Sequence, residues 1–415
     1  MRVPEVADGE AGVVGIADIV LGRRASVADA TDIRAHQTAP ERGFLPLTEV
    51  DSDAWGTLAA RAIEPNGYYL PAWERAVNAS ADGRTGTSAL CAWDDASPTT
   101  PLVGLMPAIS MRQAYGIPLP ALVSGHPYGT LCTPLIDCER PETAVASLMR
   151  VAREAGARAL ILRDVSLKGA AMTAITDVLA RDGLRPRVLQ SHLRACLDAT
   201  RDADALLLDA LGAKKLKELR RQRNRLADHG AVTFEVARSP DDVSAATEIF
   251  LMLEASGWKG ARRTALIQSE GDAAFIRRAT RALAATGHCE IVTLHAGATP
   301  VASGVVLRHQ DRAFYFKIGV DERFAKFSPG VQLTLDLTKY LCDDPAIASA
   351  DSTASPDHPM INPIWRGRLA IGDALIPLRR NDPVVSLIET ALRARLAALD
   401  LARAGVRLIR AWRQR

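Results

Sequence analysis

The sequence predicts an α/β protein with a mixed sheet, arranged as two similar units in tandem. Period-two runs such as Ser88-Ala89-Leu90-Cys91-Ala92-Trp93 and Phe314-Tyr315-Phe316-Lys317-Ile318-Gly319 read as strands. They alternate with stretches whose apolar residues recur at helical spacing. The order of elements in the second half repeats that of the first. In each half a turn leads into a strand with a proline just after the turn and a glycine inside the strand: Pro101 and Gly104, then Pro300 and Gly304. A length of 415 residues, 48% of them hydrophobic and 24% charged, suffices for two or three cores of globular type.

Residues 1–40 are rich in Ala, Asp, Gly and Arg and poor in large apolar side chains, so they read as a mobile leader. The first unit is expected over 41–200. Trp55, Leu58, Ala59 and Ala62 mark a helix, Asn66-Gly67 a turn, and 73–77 a second helix. Strands follow at 88–93 and 102–111, and the proline- and glycine-rich stretch 115–134 reads as a loop that lines a pocket. Helices around 143–155 and 170–182 bracket a strand at 159–162, and 192–197 is a further strand. The second unit, 201–382, runs strand 232–236, helix 241–254, turn 257–260, helix 272–286, and strands 290–295 and 301–307. The final stretch, 383–415, is an amphipathic basic helix with Val384, Leu387, Ile388, Leu392, Leu396 and Leu399 in one broad stripe.

The totals exclude several functions. A formal charge of +3 over this length gives no general basis for nucleic-acid binding. The cysteines at 91, 132, 138, 196, 289 and 342 form no CxxC pair, which argues against zinc and against a disulfide framework. No metal is expected. No run of about 18 apolar residues exists, and the acidic start argues against a signal peptide, so the expected address is the cytoplasm.

The stretch 314–333 joins an aromatic strand to a helix start. Ser328 is expected to cap the helix and Pro329 to occupy its first position, leaving the amides of Gly330, Val331 and Gln332 free for an anion. Lys326 adds a cation beside them. Strict alternation puts Tyr315 and Lys317 on one wet strand face, opposite Phe314, Phe316 and Ile318.

With Leu253-Glu254-Ala255-Ser256-Gly257-Trp258-Lys259-Gly260, the Pro300 to Gly304 strand, Ala313-Phe314-Tyr315-Phe316-Lys317 with Asp321, and Ser328-Pro329-Gly330, the second half resembles the BioF2-like acetyltransferases. That group is similar to the CelD (BcsL) proteins and belongs to the GNAT superfamily. The resemblance covers roughly 216–378 and implies two tandem GNAT-like units, as in the FemAB peptidyltransferases, with the second catalytic and the first degenerate. It implies acetyl-CoA or another acyl-CoA as co-substrate, direct attack of an amine or hydroxyl on the thioester, and a link to polysaccharide or cell-envelope biosynthesis. The backbone N–H near Ile318 would polarise the thioester carbonyl, and Lys326, Ser328, Gly330, Val331 and Gln332 would hold the cofactor. Asp351, Lys317 and Glu254 are the candidate proton handlers. Trp258, Lys259, Tyr315 and His358 are the candidate contacts to a small-molecule, saccharide or amine acceptor.

Two alternatives stay open. The basic run Lys214-Lys215-Leu216-Lys217-Glu218-Leu219-Arg220-Arg221-Gln222-Arg223-Asn224-Arg225 fits a FemAB-like transferase that draws on aminoacyl-tRNA, although nucleic acid is otherwise disfavoured. A non-catalytic scaffold in polysaccharide or envelope assembly would instead use the terminal helix as a docking arm. There, Trp412 amid Arg407, Arg410 and Arg413 leaves weak membrane-surface contact open.

Overall fold

The computed structural model describes residues 43–94, 97, 100–257, 260 and 262–413, with side chains to residue 405. The expectations for 1–40, Trp258, Lys259 and Trp412 lie outside the described residues or side chains. The strands are β1 (Phe44–Pro46), β2 (Ser88–Trp93), β3 (Leu102–Ser110), β4 (Ala121–Ser124), β5 (Leu135–Ile136), β6 (Ala159–Ser166), β7 (Arg187–Asp198), β8 (Val232–Ala237), β9 (Cys289–Ala296), β10 (Thr299–His309), β11 (Arg312–Val320), β12 (Ser349–Asp351) and β13 (Gly367–Pro377). The α-helices are α1 (Ser52–Ala60), α2 (Pro71–Ser80), α3 (Met111–Tyr115), α4 (Pro141–Glu154), α5 (Ala170–Arg181), α6 (Ala203–Leu226), α7 (Pro240–Ser256), α8 (Glu270–Ala284), α9 (Pro329–Cys342) and α10 (Pro383–Arg413).

All thirteen strands share one sheet in the order β1-β2-β3-β4-β6-β13-β7-β12-β11-β10-β9-β8, with β5 paired to β3. Hairpins of alternating apolar residues make most neighbours antiparallel. Among the described residues, two pairs are parallel, β4 with β6 and β11 with β12, each joined by a crossover that contains a helix, α4 or α9. These are the equivalent places in the two units. β13 follows all the other strands in the sequence but lies between β6 and β7. β7 is thereby left to pair with β12 on its other side, which fuses the two half-sheets into one.

The seam between the halves is core. Trp55, Tyr68 and Trp73 of the first half share one apolar cluster with Phe250, Phe275, Phe314 and Phe316 of the second. Tyr68 meets Phe314 edge-on at 5.7 Å, and Trp73 meets Phe275 at 5.0 Å and Phe316 at 4.9 Å. His309, buried at the end of β10, accepts from the Asn66 amide at 2.8 Å and donates to the Ala59 carbonyl at 2.9 Å. Burial pushes its imidazole down to about 4, so it stays neutral and keeps both bonds.

Candidate active site

β11 and β12 pair only through Arg312, Ala313 and Phe314, opposite Ser349, Ala350 and Asp351. There β12 ends and the strands part. Thr353, held at φ +50°, closes the edge of the gap: its hydroxyl donates to the Tyr315 carbonyl at 2.6 Å and its amide to Asp351 Oδ1 at 2.7 Å.

A bulge changes the strand at this point. Val305 faces Lys317 and Val306 faces Tyr315, so Phe316 is an extra residue on β11. Alternation is thereby reset, and Tyr315 and Lys317 point to opposite faces, contrary to the strict period of two. Tyr315 packs into the cluster beneath α9, its ring 6.1 Å from Trp365, and burial raises its phenol. It belongs to the core, so the expected wet contact with an acceptor is corrected. Lys317 joins Phe314 and Phe316 on the face toward α7 and α8. Its ammonium lies 3.4 Å from Glu254 Oε1, 5.6 Å above the Tyr128 ring and 5.8 Å from that of Phe316. Glu254 is buried at the end of α7, and its other oxygen accepts from the Leu266 amide at 3.0 Å.

Tyr128, which sequence reasoning missed, comes from the first half. It sits at φ +61° on the segment after β4, stacked on Phe275 at 4.9 Å, with its hydroxyl donating to Asp272 Oδ2 at 2.5 Å. A bulky aromatic in the left-handed region is strained and persists only where its surroundings fix it. Here they do: the Arg84 guanidinium lies 4.4 Å over the ring, and the Tyr128 amide donates to His126 Nδ1 at 3.1 Å. Burial, then the nearby Arg84 and Arg163, push the His126 imidazole down to about 3, which keeps that nitrogen an acceptor. The expected pocket-lining loop thus reaches over the second unit's site.

The helix start differs from the expectation in two respects. Ser328 is left-handed (φ +53°) and its side chain makes no capping bond. The Gln332 amide is already used, donating to the Ser328 carbonyl at 3.0 Å, while its side chain donates to the Leu219 carbonyl of α6 at 2.9 Å. Gly330 and Val331 remain as the amides without a protein acceptor among the described residues. Gly330 faces Ile318, Val320 and Met360 closely enough that a Cβ there would stand 3.2–3.4 Å from their side chains. Lys326 is exposed beside this end. His358 is half-buried in the loop that carries Met360, and its Nδ1 accepts from the Met360 amide at 3.3 Å. In the first unit, the equivalent α4 opens Pro141-Glu142, a carboxylate where α9 has Gly330.

Asp351 is not an open base. It is 1% exposed and paired at 3.1 Å with Arg194, also 1% exposed, whose second nitrogen donates to the Thr130 carbonyl at 2.7 Å. Its two oxygens are thus taken by Arg194 and Thr353, so it ties β12, β7 and the Tyr128 segment together. Arg194 also went unnoticed, although an arginine inside the strand Leu193-Arg194-Ala195-Cys196-Leu197 is a signal for a buried partner. On α6, Leu219 and Leu226 are buried while Lys214, Lys215, Lys217, Arg220, Arg221 and Arg225 are exposed; Arg223 pairs with Asp336 of α9 at 2.8 Å. Among the described residues there is no cluster of metal-ligating side chains, and no helix is long and apolar enough to cross a membrane.

Residues 213–356 match the family described as "Acetyltransferase (GNAT) domain". No curated protein matches the sequence. Among solved structures the chain is similar to FemX, with a TM-score of 0.53 and 12% identity over 82% of this chain and 99% of that one. The C-terminal domain (DUF2156) of a putative lysylphosphatidylglycerol synthetase from Agrobacterium fabrum gives 0.49 and 15% over 82% and 95%. A tandem GNAT protein from the clavulanic acid biosynthesis pathway gives 0.40 and 15% over 82% and 99%. With two parallel crossovers in one sheet and an acetyltransferase (GNAT) domain in its second half, the chain is an acyltransferase that shares the fold of FemX.

Proposed function

We propose that the second unit transfers an acyl group from acyl-CoA to an amine or hydroxyl of a small acceptor, and that the first unit supplies one wall of the acceptor site. The observation that carries this is the parting of β11 from β12 beside the bulge at Phe316, directly before a helix whose first amides, Gly330 and Val331, lack acceptors among the described residues. The pyrophosphate would rest on those amides near Lys326, with the thioester between the parted strands. The acceptor's lone pair attacks the thioester carbonyl, the oxyanion is held by strand amides near Ile318, and the C–S bond breaks to release the CoA thiolate. The proton lost by the nucleophile passes to water or to the thiolate. Lys317, oriented by Glu254, would bind an anionic group of the acceptor under the Tyr128 ring. The carboxylate at Glu142 supports the reading that the first unit has lost its own cofactor site.

Thermal unfolding with acetyl-CoA and with longer acyl-CoAs tests the proposal. Binding to the native state alone raises Tm, by an amount equivalent to about 2.7 kcal/mol at a ligand concentration of a hundred times Kd. No shift with any acyl-CoA at millimolar concentration rejects it. The exposed basic face of α6 favours aminoacyl-tRNA as the second reading. Salt-sensitive tRNA binding, lost when Arg220 and Arg221 are reversed in charge, would select it over acyl-CoA.

A further inference from the structure

A second charged site lies far along the sheet. β7 begins at Arg187, at the opposite end from Cys196, which pairs with Asp351. Here β7, the end of β13 and the start of α10 enclose an open cleft of about 690 Å³ lined by Arg185, Arg187, Arg379 and Arg393. Arg380 stands beside Gly183 on its rim, and Arg158 reaches Asp382 beneath it at 2.9 Å. Six arginines thus surround two carboxylates. Arg187 and Arg393 share Glu389, at 2.6 and 2.9 Å, while Arg185, Arg379 and Arg380 have no partner among the described residues. The amides at the start of α10 are already engaged by Asp382, so the surplus charge is that of the guanidinium groups.

Apolar side chains are exposed on the same surface: Val188 in the cleft (47%), and Leu387 (55%) and Leu401 (74%) on α10. Leu387 and Leu401 are close to four turns apart, hence on one helix face, with exposed Ala394, Ala397 and Ala398 between them and Arg393 and Arg403 alongside. Exposed leucines beside unpaired arginines, with no exposed aromatic ring among the described side chains of this surface, suit an interface that is apolar inside and anionic outside.

We propose that this face docks on an anionic lipid bilayer, with lipid phosphates entering the arginine cleft and the Leu387/Leu401 face of α10 dipping into the headgroup layer. The site is separate from the acyl-transfer site and does not depend on the chemistry there. The test is flotation of the full chain with vesicles of phosphatidylcholine alone and of phosphatidylcholine mixed with phosphatidylglycerol. Binding is expected only to the mixed vesicles, weakening as salt rises. Reversing Arg185, Arg379 and Arg380 to Glu should lower it about tenfold or more, and L387S/L401S should lower it while binding of inorganic pyrophosphate to the arginine cleft is unchanged. All five positions are exposed, and neutral Arg→Gln changes carry the test if a charge-reversed chain fails to melt cooperatively. Equal binding to both vesicle types, or none, overturns the proposal. So does pyrophosphate or tRNA binding that requires these arginines in a chain that leaves the vesicles untouched.

Discussion

Lys317 and Glu254 form a pair in which the lysine side chain is 25% exposed and the carboxylate fully covered, so the lysine is the member an acceptor can reach. Lys317→Met should therefore lower kcat/KM about tenfold to a hundredfold, mainly through KM, when CoA release is followed with a thiol reagent. Lys326→Glu should raise the Kd for acetyl-CoA about tenfold while leaving the Tm of the free protein unchanged, because Lys326 is exposed. Arg194→Met should cost about 3–5 kcal/mol in urea unfolding, since it strands the buried Asp351 carboxylate. Asp351→Asn separates structure from chemistry: lower stability with an unaltered pH–rate profile fits the paired carboxylate, whereas loss of the profile's acid limb would restore Asp351 as a base. Among residues, the positions of Lys317, Glu254 and Gly330 on a strand, at a helix end and at a helix start were legible. Arg194 and Tyr128 were not, because their partners are separated from them by 157 and 144 residues.

The aromatic strand and the helix after it were visible as elements, because period-two alternation and a Ser-Pro start are local signals. The bulge was not. One extra residue at Phe316 leaves the composition of the strand untouched yet exchanges the faces of everything beyond it, so Tyr315 went to the core and Lys317 to the site. β4 was read as loop because the stretch 115–134 is rich in proline and glycine; it forms nonetheless, paired between β3 and β6. The segment after β4 fits tightly against the seam: a Cβ on Gly129 would stand 2.2 Å from the Tyr68 ring. Gly129→Ala should thus cost about 1–3 kcal/mol and shift Tyr128 as well, which a fall in acceptor affinity at unchanged acetyl-CoA affinity would reveal.

Across the whole molecule, His309 reports on the seam. Its folded pKa, about 4, lies below the ordinary 6.5, so the stability it contributes is complete above 6.5 and is lost as pH falls toward 4. His309→Gln should be less stable than the parent at pH 7.5, and the gap should narrow by about 1.4 kcal/mol per pH unit between those limits in paired denaturant titrations. The tandem arrangement was readable from the repeated order of elements, whereas the placement of β13 was not, since nothing in Gly367–Pro377 names its neighbours. That placement has a consequence for synthesis. The strand between β6 and β7 is made only after β8 to β12 of the second half, so the first half waits, with an open slot in its sheet, until those strands have been made. Nascent chains stalled before residue 367 should be cut readily within 159–198 by added protease, and chains released past 383 should resist it.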